Sequence, residues 1–596
     1  MTYAAPLADM RFALREIAGL AGVAALPGYE HAGEDMIDAV LEEAAKLAGN
    51  GLAPLNRDGD KVGARLENGV VRTAPGFAAI YKEFVTGGWN SLPFDPEFGG
   101  QGMPWLLATG VQEMWQSANM GFGLVLLLNQ GAIDAIQHHG SPEQKATYLP
   151  RMIAGDWTGT MNLTEPQAGS DLGQLKSKAV RQGDHYLISG QKIFITYGEH
   201  DMAENIVHLV LARTPDAPAG VRGISLFIVP KLLVGADGKP GKRNDLRCVS
   251  LEHKLGIHAS PTCVMSYGDD GGAVGYLVGE EGRGLSYMFT MMNNARLAVG
   301  VQGLAIAERA YQQAAAFARQ RVQSKDDASA APHPVAIVRH ADVRRMLMTM
   351  RAQIEAMRGL GYYAAAQIDT ALRHPDAATR KETQTRVDLL IPIVKAWFTD
   401  LGNEIASLGV QIHGGMGFVE ETGAAQHLRD ARILPIYEGT NGIQARDLVG
   451  RKISRDGGEA MRALVAEMRA EHSRLATLAG DDIAAVATGL EAAANALDEA
   501  TGWVAGDVRG DGRAAMAGSA AYLRLCGTAL GAWVSARGAA AALARLASRE
   551  GDAAFNEAKL VTARFYAEVI LPPALAQLGP LRAAGRTVFA LPDEAF

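Results

Sequence analysis

The run ILPIYEGTNGIQ, residues 433–444, sets one carboxylate, Glu438, between a tyrosine and a glycine, with apolar residues before it. A carboxylate in apolar surroundings without a cation has a raised pKa. Ionised in a dry pocket, it is a stronger base than in water. The competing reading is a structural acid paired with Arg429 or Arg432 just upstream. Three other stretches carry groups that could hold a ligand. In QIHGGMGF (411–418), Gly414 and Gly415 expose backbone N–H groups suited to a phosphate or pyrophosphate; alternatively they only end the apolar helix before them. In LTEPQAGSDLG (163–173), Thr164 and Ser170 could meet a polar ring edge or a phosphate, or Ser170 and Asp171 could organise a turn. In KIFITYGEH (192–200), Phe194 could stack on a planar ring, although a strand aromatic is more often core.

The elements around these stretches fall into blocks. Residues 1 to about 160 read as helical, with EDMIDAVLEEAAKLAGN forming a periodic helix that ends near Gly49. From Trp157 the texture turns to short β-rich runs. DHYLISGQKIFIT reads as a hairpin turning at Ser189-Gly190, and NIVHLVLAR and GISLFIVP follow as strands. The helical period returns after Gly284, with Leu297, Val301, Leu304 and Tyr311 on one face. A longer face runs through Val387, Leu390, Val394, Phe398, Leu401, Ile405 and Leu408, with Pro392 near the first turns or at a bend. RKISRDGGE, near 451–459, reads as a boundary, and the alanine-rich remainder is helical, with Met461, Leu464, Met468 and Leu475 in register. The expected organisation is mainly α with a central β domain: helical 1–160, β 161–280, helical bundle 281–455 and a further helical block 456–596. Strands do not alternate with helices as in a Rossmann enzyme.

Bulk properties narrow the function. A chain of 596 residues exceeds one core. Its net charge of −8 argues against a general nucleic-acid binder. Three scattered cysteines, without a CxxC pair, imply neither a zinc cage nor a disulfide framework and fit a reducing cytoplasm. The first residues carry Asp9, Arg11, Arg15 and Glu16 where a signal peptide needs an apolar core, and no run of about 20 uncharged apolar residues predicts a membrane span.

Taken together and in order, these segments resemble the acyl-CoA dehydrogenase family. The matching pieces are PFDPEFGGQGMP (93–104), LTEPQAGSDLG, GQKIFIT (190–196), HKLGIHASPT (253–262), GEEGRGLSYMFTMMNNARLAVGVQGLA (279–305), QIHGGMGF and RDARILPIYEGTNGIQ (429–444). The long chain, PLADMRFALREI near the start and the extra helical block are similar to a bacterial four-domain subgroup, which includes enzymes acting on 3-(methylthio)propanoyl-CoA. The resemblance implies an N-terminal helical domain, a β-barrel-like middle domain and a C-terminal four-helix bundle. FAD would lie between the last two and reach a neighbouring subunit, in a homodimer or a dimer of dimers.

The resemblance also gives the residues roles. Glu438 would remove the α-proton of an acyl-CoA thioester while the β-hydrogen leaves as hydride to the flavin, giving a trans-2-enoyl-CoA. The thioester oxygen would be held by the Glu438 N–H and a ribityl hydroxyl of FAD, and Gly439 would let the backbone turn so that carboxylate and N–H both face the substrate. Some relatives carry the base just before the arginine of NNARLAVG; here that place is Ala295, and Arg296 matches the arginine near the active site. Leu163 and Thr164 would meet the flavin pyrimidine edge, Ser170 the pyrophosphate region and the substrate, Phe194 the ring system, and Thr196 its O4 and N5 side. Arg321 and Gln323 of the partner subunit would approach the pyrophosphate, Gln411, Gly414 and Gly415 the adenosine half, and Thr440 and Asn441 would close the loop after the base. No metal is implied. Relatives often have phenylalanine where Ser324 stands, and tryptophan where Phe194 stands.

Three activities compete on this scaffold: a dehydrogenase delivering electrons to electron-transferring flavoprotein, an oxidase delivering them to O2, and a DNA-associated flavoprotein with a basic groove. The best basic stretch, RHADVRRMLMTMR (339–351), reads more simply as a solvated helix face.

Overall fold

The computed structural model describes residues 3–326, 333–510 and 512–596, and every side chain among them except that of Asn293. The N-terminal region is helical apart from a small hairpin pairing Arg65–Glu67 with Val70–Arg72. The helix Glu34–Lys46 does not stop near Gly49. It widens through a π-turn, Leu47–Leu52, and runs on as Ala53–Val62. Two helices lead towards the β region: α1 (Trp105–Ala118) and α2 (Met120–His139). Asn119 separates them, its side chain capping α2 through Phe122 N–H at 3.1 Å. No helix among the described residues is long and apolar enough to cross a membrane.

Besides a small hairpin pairing Leu232–Val234 with Pro240–Arg243, the central region is built on a curled sheet of eight strands: β1 (Trp157–Asn162), β2 (Lys178–Gln182), β3 (His185–Thr196), β4 (Asn205–Ala212), β5 (Ser225–Pro230), β6 (Leu246–Leu251), β7 (Thr262–Tyr267) and β8 (Ala273–Leu277). They run β6-β7-β3-β8-β5-β4-β1, with β2 also on β3; only β1 and β4 pair in parallel. β1 and β4 are buried throughout, as strands covered on both faces must be. The curl brings β1 back to β3, where Thr160 Oγ1 donates to Thr196 O at 2.7 Å.

The expected turn at Ser189-Gly190 is absent. β3 runs straight through it, and the hairpin turn lies earlier, at Gly183, between β2 and β3. Gly190 instead marks where β3 changes partners, from β2 and β8 to β7. A Cβ at Gly190 would lie 2.5 Å from Ser177 Oγ, so the glycine serves a close crossing.

The bundle consists of α3 (Gly284–Gln320), α4 (Ala341–Arg373) and α5 (Ala377–His413), then the short α6 (Asn441–Asp447). The predicted apolar faces are buried, with Tyr311 and Leu408 half-buried. α3 and α5 approach closely: a Cβ at Gly303 would sit 2.5 Å from Phe398 O. Pro392 lies well inside α5 rather than in its first turns, where it withholds one backbone hydrogen bond. Arg358 of α4 bonds Glu113 of α1 at 2.7 Å and Glu308 of α3 at 2.8 Å, and Tyr362 adds a bond to Glu113 at 2.6 Å. All four are buried.

Gly457 and Gly458, both left-handed, break the chain before the last block. That block contains α7 (Glu459–Leu475), α8 (Asp481–Arg509), α9 (Ser519–Ser548) and α10 (Ala553–Phe565). Met461, Leu464, Met468 and Leu475 face its interior. α9 seats on α5 through two glycines. A Cβ at Gly527 would lie 2.2 Å from Trp397 Cγ, and one at Gly531 would lie 2.8 Å from Trp397 Cη2. Replacing Gly527 by valine therefore forces α9 off α5. We expect a loss of about 1–3 kcal/mol in chemical or thermal unfolding; an unchanged unfolding curve would show that α9 does not depend on this seat.

Candidate active site

Glu438 lies where the turn after Ala431 bends into α6. Glu438 and Gly439 take successive left-handed conformations, φ +57° and +82°. For a side chain with a Cβ this strain costs on the order of 1–3 kcal/mol. Glycine was expected to make this bend; that Glu438 shares it was not. Surrounding bonds hold the pair in place. Asn441 N–H donates to Pro435 O at 2.9 Å. Gln444 Nε2 donates to the carbonyls of Glu438 and Gly439 at 3.1 and 3.2 Å. Lys395 Nζ donates to Gly439 O at 2.9 Å.

The Glu438 carboxylate has neither an ion pair nor a hydrogen bond among the described residues, and its N–H is equally unpartnered. Arg429 is engaged instead with Asp60 and Glu420, and Arg432 is exposed, so the upstream pairing does not occur. Burial raises the Glu438 pKa above its ordinary value, while the charges of Arg296 and Lys395 pull it partly back. Arg296, from α3, is almost fully buried. Its Nη1 stands 3.6 Å from Asp447 Oδ2, and its Nε has no partner.

Tyr437 precedes Glu438 and donates to Gln302, which donates to Gln116 at 3.1 Å, which donates to Gly123 O at 2.9 Å. Tyr437 packs against the cluster holding Met161, Met288, Met291 and Ala295, and Leu163 packs on that cluster too. This apolar wall links the base turn to the end of β1.

Leu163, Thr164, Phe194 and Thr196 form a second group. Ile193 N–H donates to Thr164 O at 2.9 Å, which sets the turn after β1 against β3. Phe194 is 59% exposed and left-handed, φ +61°. It is therefore not core. Beneath the turn lies a buried pair. Lys192 Nζ donates to Glu165 Oε1 at 2.8 Å and Leu163 O at 3.0 Å. Glu165 also accepts from the N–H groups of Lys176 (2.6 Å) and Ser177 (3.0 Å). Burial alone would raise the Glu165 pKa, but the Lys192 charge and these bonds outweigh it and hold it at about 2. On Lys192 burial wins and draws the ammonium down to about 8.

The remaining predicted residues divide. Ser170 is exposed on the outer part of its turn. Arg321 and Gln323 are exposed beyond the end of α3, which meets the end of α5 through Phe317 stacked on His413 at 4.4 Å. Gln411, Gly414 and Gly415 are exposed at that same end, and a Cβ at either glycine would meet open space. Thr440 spends its hydroxyl capping α6, accepting from Ile443 N–H at 3.2 Å. Asn441 points its amide inward, to Lys395, Ala396, Thr399 and Asp400.

An exposed aromatic, an exposed arginine and open glycines fit a flat, phosphate-bearing cofactor. Comparison with known proteins agrees. Family models match in sequence order: acyl-CoA dehydrogenase N-terminal domain over 19–156, middle domain over 160–269, C-terminal domain over 282–453, and acetyl-CoA dehydrogenase C-terminal like over 460–592. The chain is 51% identical to the 3-methylmercaptopropionyl-CoA dehydrogenase of Ruegeria pomeroyi, over 96% of each. The chain belongs to the acyl-CoA dehydrogenase family. It is also 34% identical to a butyryl-CoA dehydrogenase of Syntrophomonas wolfei, over 100% of this chain and 99% of that one. The fold of an acyl-CoA dehydrogenase complexed with FAD from Bacillus anthracis matches with TM-score 0.73 and 20% identity, over 98% and 93% of the two chains.

Sequence reasoning missed two lysines of this acyl-CoA dehydrogenase site, Lys192 and Lys395. Each is a single cation inside an apolar run, KIFIT and IPIVKAWF, and such a residue is almost never fully buried unless paired. That signal was present. The Lys192–Glu165 pair yields a prediction. The Glu165 contribution to stability is complete above its ordinary 4.5 and is lost as pH falls through about 2. Lys192→Met strands the carboxylate, costing about 3–5 kcal/mol at neutral pH, and moves the acid limb of the stability–pH curve upward. Denaturant titration from pH 2 to 7 checks this; a parallel curve would remove the pair from that role.

Proposed function

We propose that this chain dehydrogenates an acyl-CoA thioester across Cα and Cβ to a trans-2-enoyl-CoA, with 3-(methylthio)propanoyl-CoA as substrate and Glu438 as base. The family is FAD-dependent. FAD when bound supplies the acceptor for the hydride, and Leu163, Thr164, Ser170, Phe194, Thr196, Arg321, Gln323, Gln411, Gly414 and Gly415 are the residues we assign to it. The observation that carries the reading is the state of Glu438: a carboxylate with a raised pKa, unbonded, in a strained turn beside two cations it does not pair with.

The chain's own work follows from that state. The Glu438 carboxylate takes the α-proton, and its unpartnered N–H is available to donate to the thioester oxygen as negative charge develops there. Arg296 and Lys395 favour the charged form of the base before transfer. Ala295 leaves no second acid at the start of α3, so one group carries the proton.

The methylthio preference is supported by the 51% identical relative. Thioether sulfur replaces a methylene at similar size, so discrimination against pentanoyl-CoA from that swap is about 1–3 kcal/mol. A panel of straight-chain acyl-CoAs and 3-(methylthio)propanoyl-CoA, run with an artificial acceptor, decides it. A kcat/KM highest for long chains would overturn the assignment. Electrons then pass to electron-transferring flavoprotein; reduced enzyme reoxidised rapidly in air with peroxide formation would make it an oxidase instead.

A homodimer, or a dimer of dimers, completes the proposal. Phe418 is 88% exposed, with Met416, Val419 and Val322 also exposed, and a second copy covering such apolar surface would bring Arg321 and Gln323 to the neighbouring cofactor. Sedimentation of the holoenzyme as a monomer would sink this. For the base itself, Glu438→Gln should keep FAD bound, by absorbance, and lower kcat at least ~1,000-fold, or roughly 4 kcal/mol of barrier. Activity within about tenfold of wild type, roughly 1.4 kcal/mol, would remove Glu438 from the role.

A further inference from the structure

Lys395 lies in the middle of α5 with no exposed surface. Its ammonium is spent on the base loop. It donates to Gly439 O at 2.9 Å and to Asn441 Oδ1 at 2.9 Å. Asn441 in turn donates to Ala396 O at 3.1 Å, Thr399 Oγ1 at 3.0 Å and Asp400 Oδ1 at 2.7 Å. One stretch of α5 thus grips the chain immediately after Glu438. A buried ammonium is costly, and a neutral donor could make the same two bonds. The charge itself therefore needs a reason.

The groups facing Glu438 supply one. From α3 comes Arg296, but Asp447 of α6 stands 3.6 Å from it, and Arg451 holds Asp447 at 2.5 Å. From its own turn comes Tyr437, whose hydroxyl is committed to Gln302. From α5 come Lys395 and, behind the Asn441 amide, Asp400, whose carboxyl burial pushes towards its neutral form. Lys395 is thus the less compensated of the two cations near the base.

We propose that Lys395 is a positioning residue for the base: it pins the peptide after Glu438 in its left-handed bend and, when protonated, sets a positive charge beside the carboxylate. The inference rests on Glu438 acting as the base, and its test separates the two ideas. Burial draws the lysine down to about 7, so Glu438 and Lys395 titrate as interacting neighbours. Removing the cation raises the pH at which Glu438 ionises.

The test uses the FAD-loaded enzyme and the variants Lys395→Met and Lys395→Gln, with FAD absorbance and thermal unfolding as controls. Infrared pH titration, with Glu438→Gln as the subtracted reference, reports the Glu438 carboxyl without turnover. The midpoint should rise by on the order of one pH unit in both variants. The acid limb of kcat/KM should move the same way, and kcat should fall further for methionine than for glutamine, which keeps a donor. An unmoved midpoint in a flavin-loaded variant overturns the proposal. Failure of both variants to fold also overturns it, because the lysine would then serve the fold rather than the base. If Glu438→Gln keeps its turnover, the base assignment falls, while the infrared midpoint still decides whether Lys395 acts on that carboxylate.

Discussion

A carboxylate that must accept a proton from carbon cannot be tied up by its neighbours, yet it must be charged before it acts. Glu438 meets both demands by lying near two cations while bonding to neither. A direct salt bridge would make it a weaker base; full isolation would leave it protonated at neutral pH. The compromise requires the bend to be held from outside, because the backbone of Glu438 is itself strained. The bonds from Lys395 of α5 and Gln444 of α6 to the loop carbonyls do that work.

The β region solves a related problem by the opposite means. Glu165 and Lys192 are bonded directly, and the pair fixes the turn beginning at Leu163 against the strand that carries Phe194 and Thr196. This carboxylate is deeply acidic and inert, whereas Glu438 is raised and free. Both lie beside buried lysines. What separates structural acid from candidate base is whether the ammonium donates to the carboxylate or to the carbonyl next to it.

Element types were legible along most of the chain because the helices are long and periodic: every predicted apolar position on α3, α5 and α7 turned inward, two of them only half-buried. The errors share a cause. Ser189-Gly190 and Gly49 read as stops because glycine usually ends regular structure, but β3 passes straight through Gly190, whose bare Cα lets the strand pass Ser177, and the helix containing Gly49 merely widens. Pro392, expected near the first turns or at a bend, lies well inside α5. Glu438 was legible by its apolar neighbours. The apolar run around Lys395 signals a buried, paired cation, but not its partners, since the Gly439 carbonyl and the Asn441 amide lie 44 and 46 residues away along the chain. The inward use of Asn441 was hidden by the same distance.

The last helical block bears on the site through the helices it packs against. α9 stands on Trp397 of α5, two residues after Lys395, and Arg524 of α9 bonds Glu404 at 2.7 Å about two turns further on. Arg524 also lowers the Asp400 pKa from the position burial would give it, and Asp400 accepts the Asn441 amide. The register of α5 fixes where Lys395 reaches the bend, and α9 helps to fix that register. A chain whose α5 lacked this support would have to stabilise the same helix by other contacts, for example against another subunit. The extra block is thereby connected to the Glu438 turn through α9, which packs on both α5 and α6.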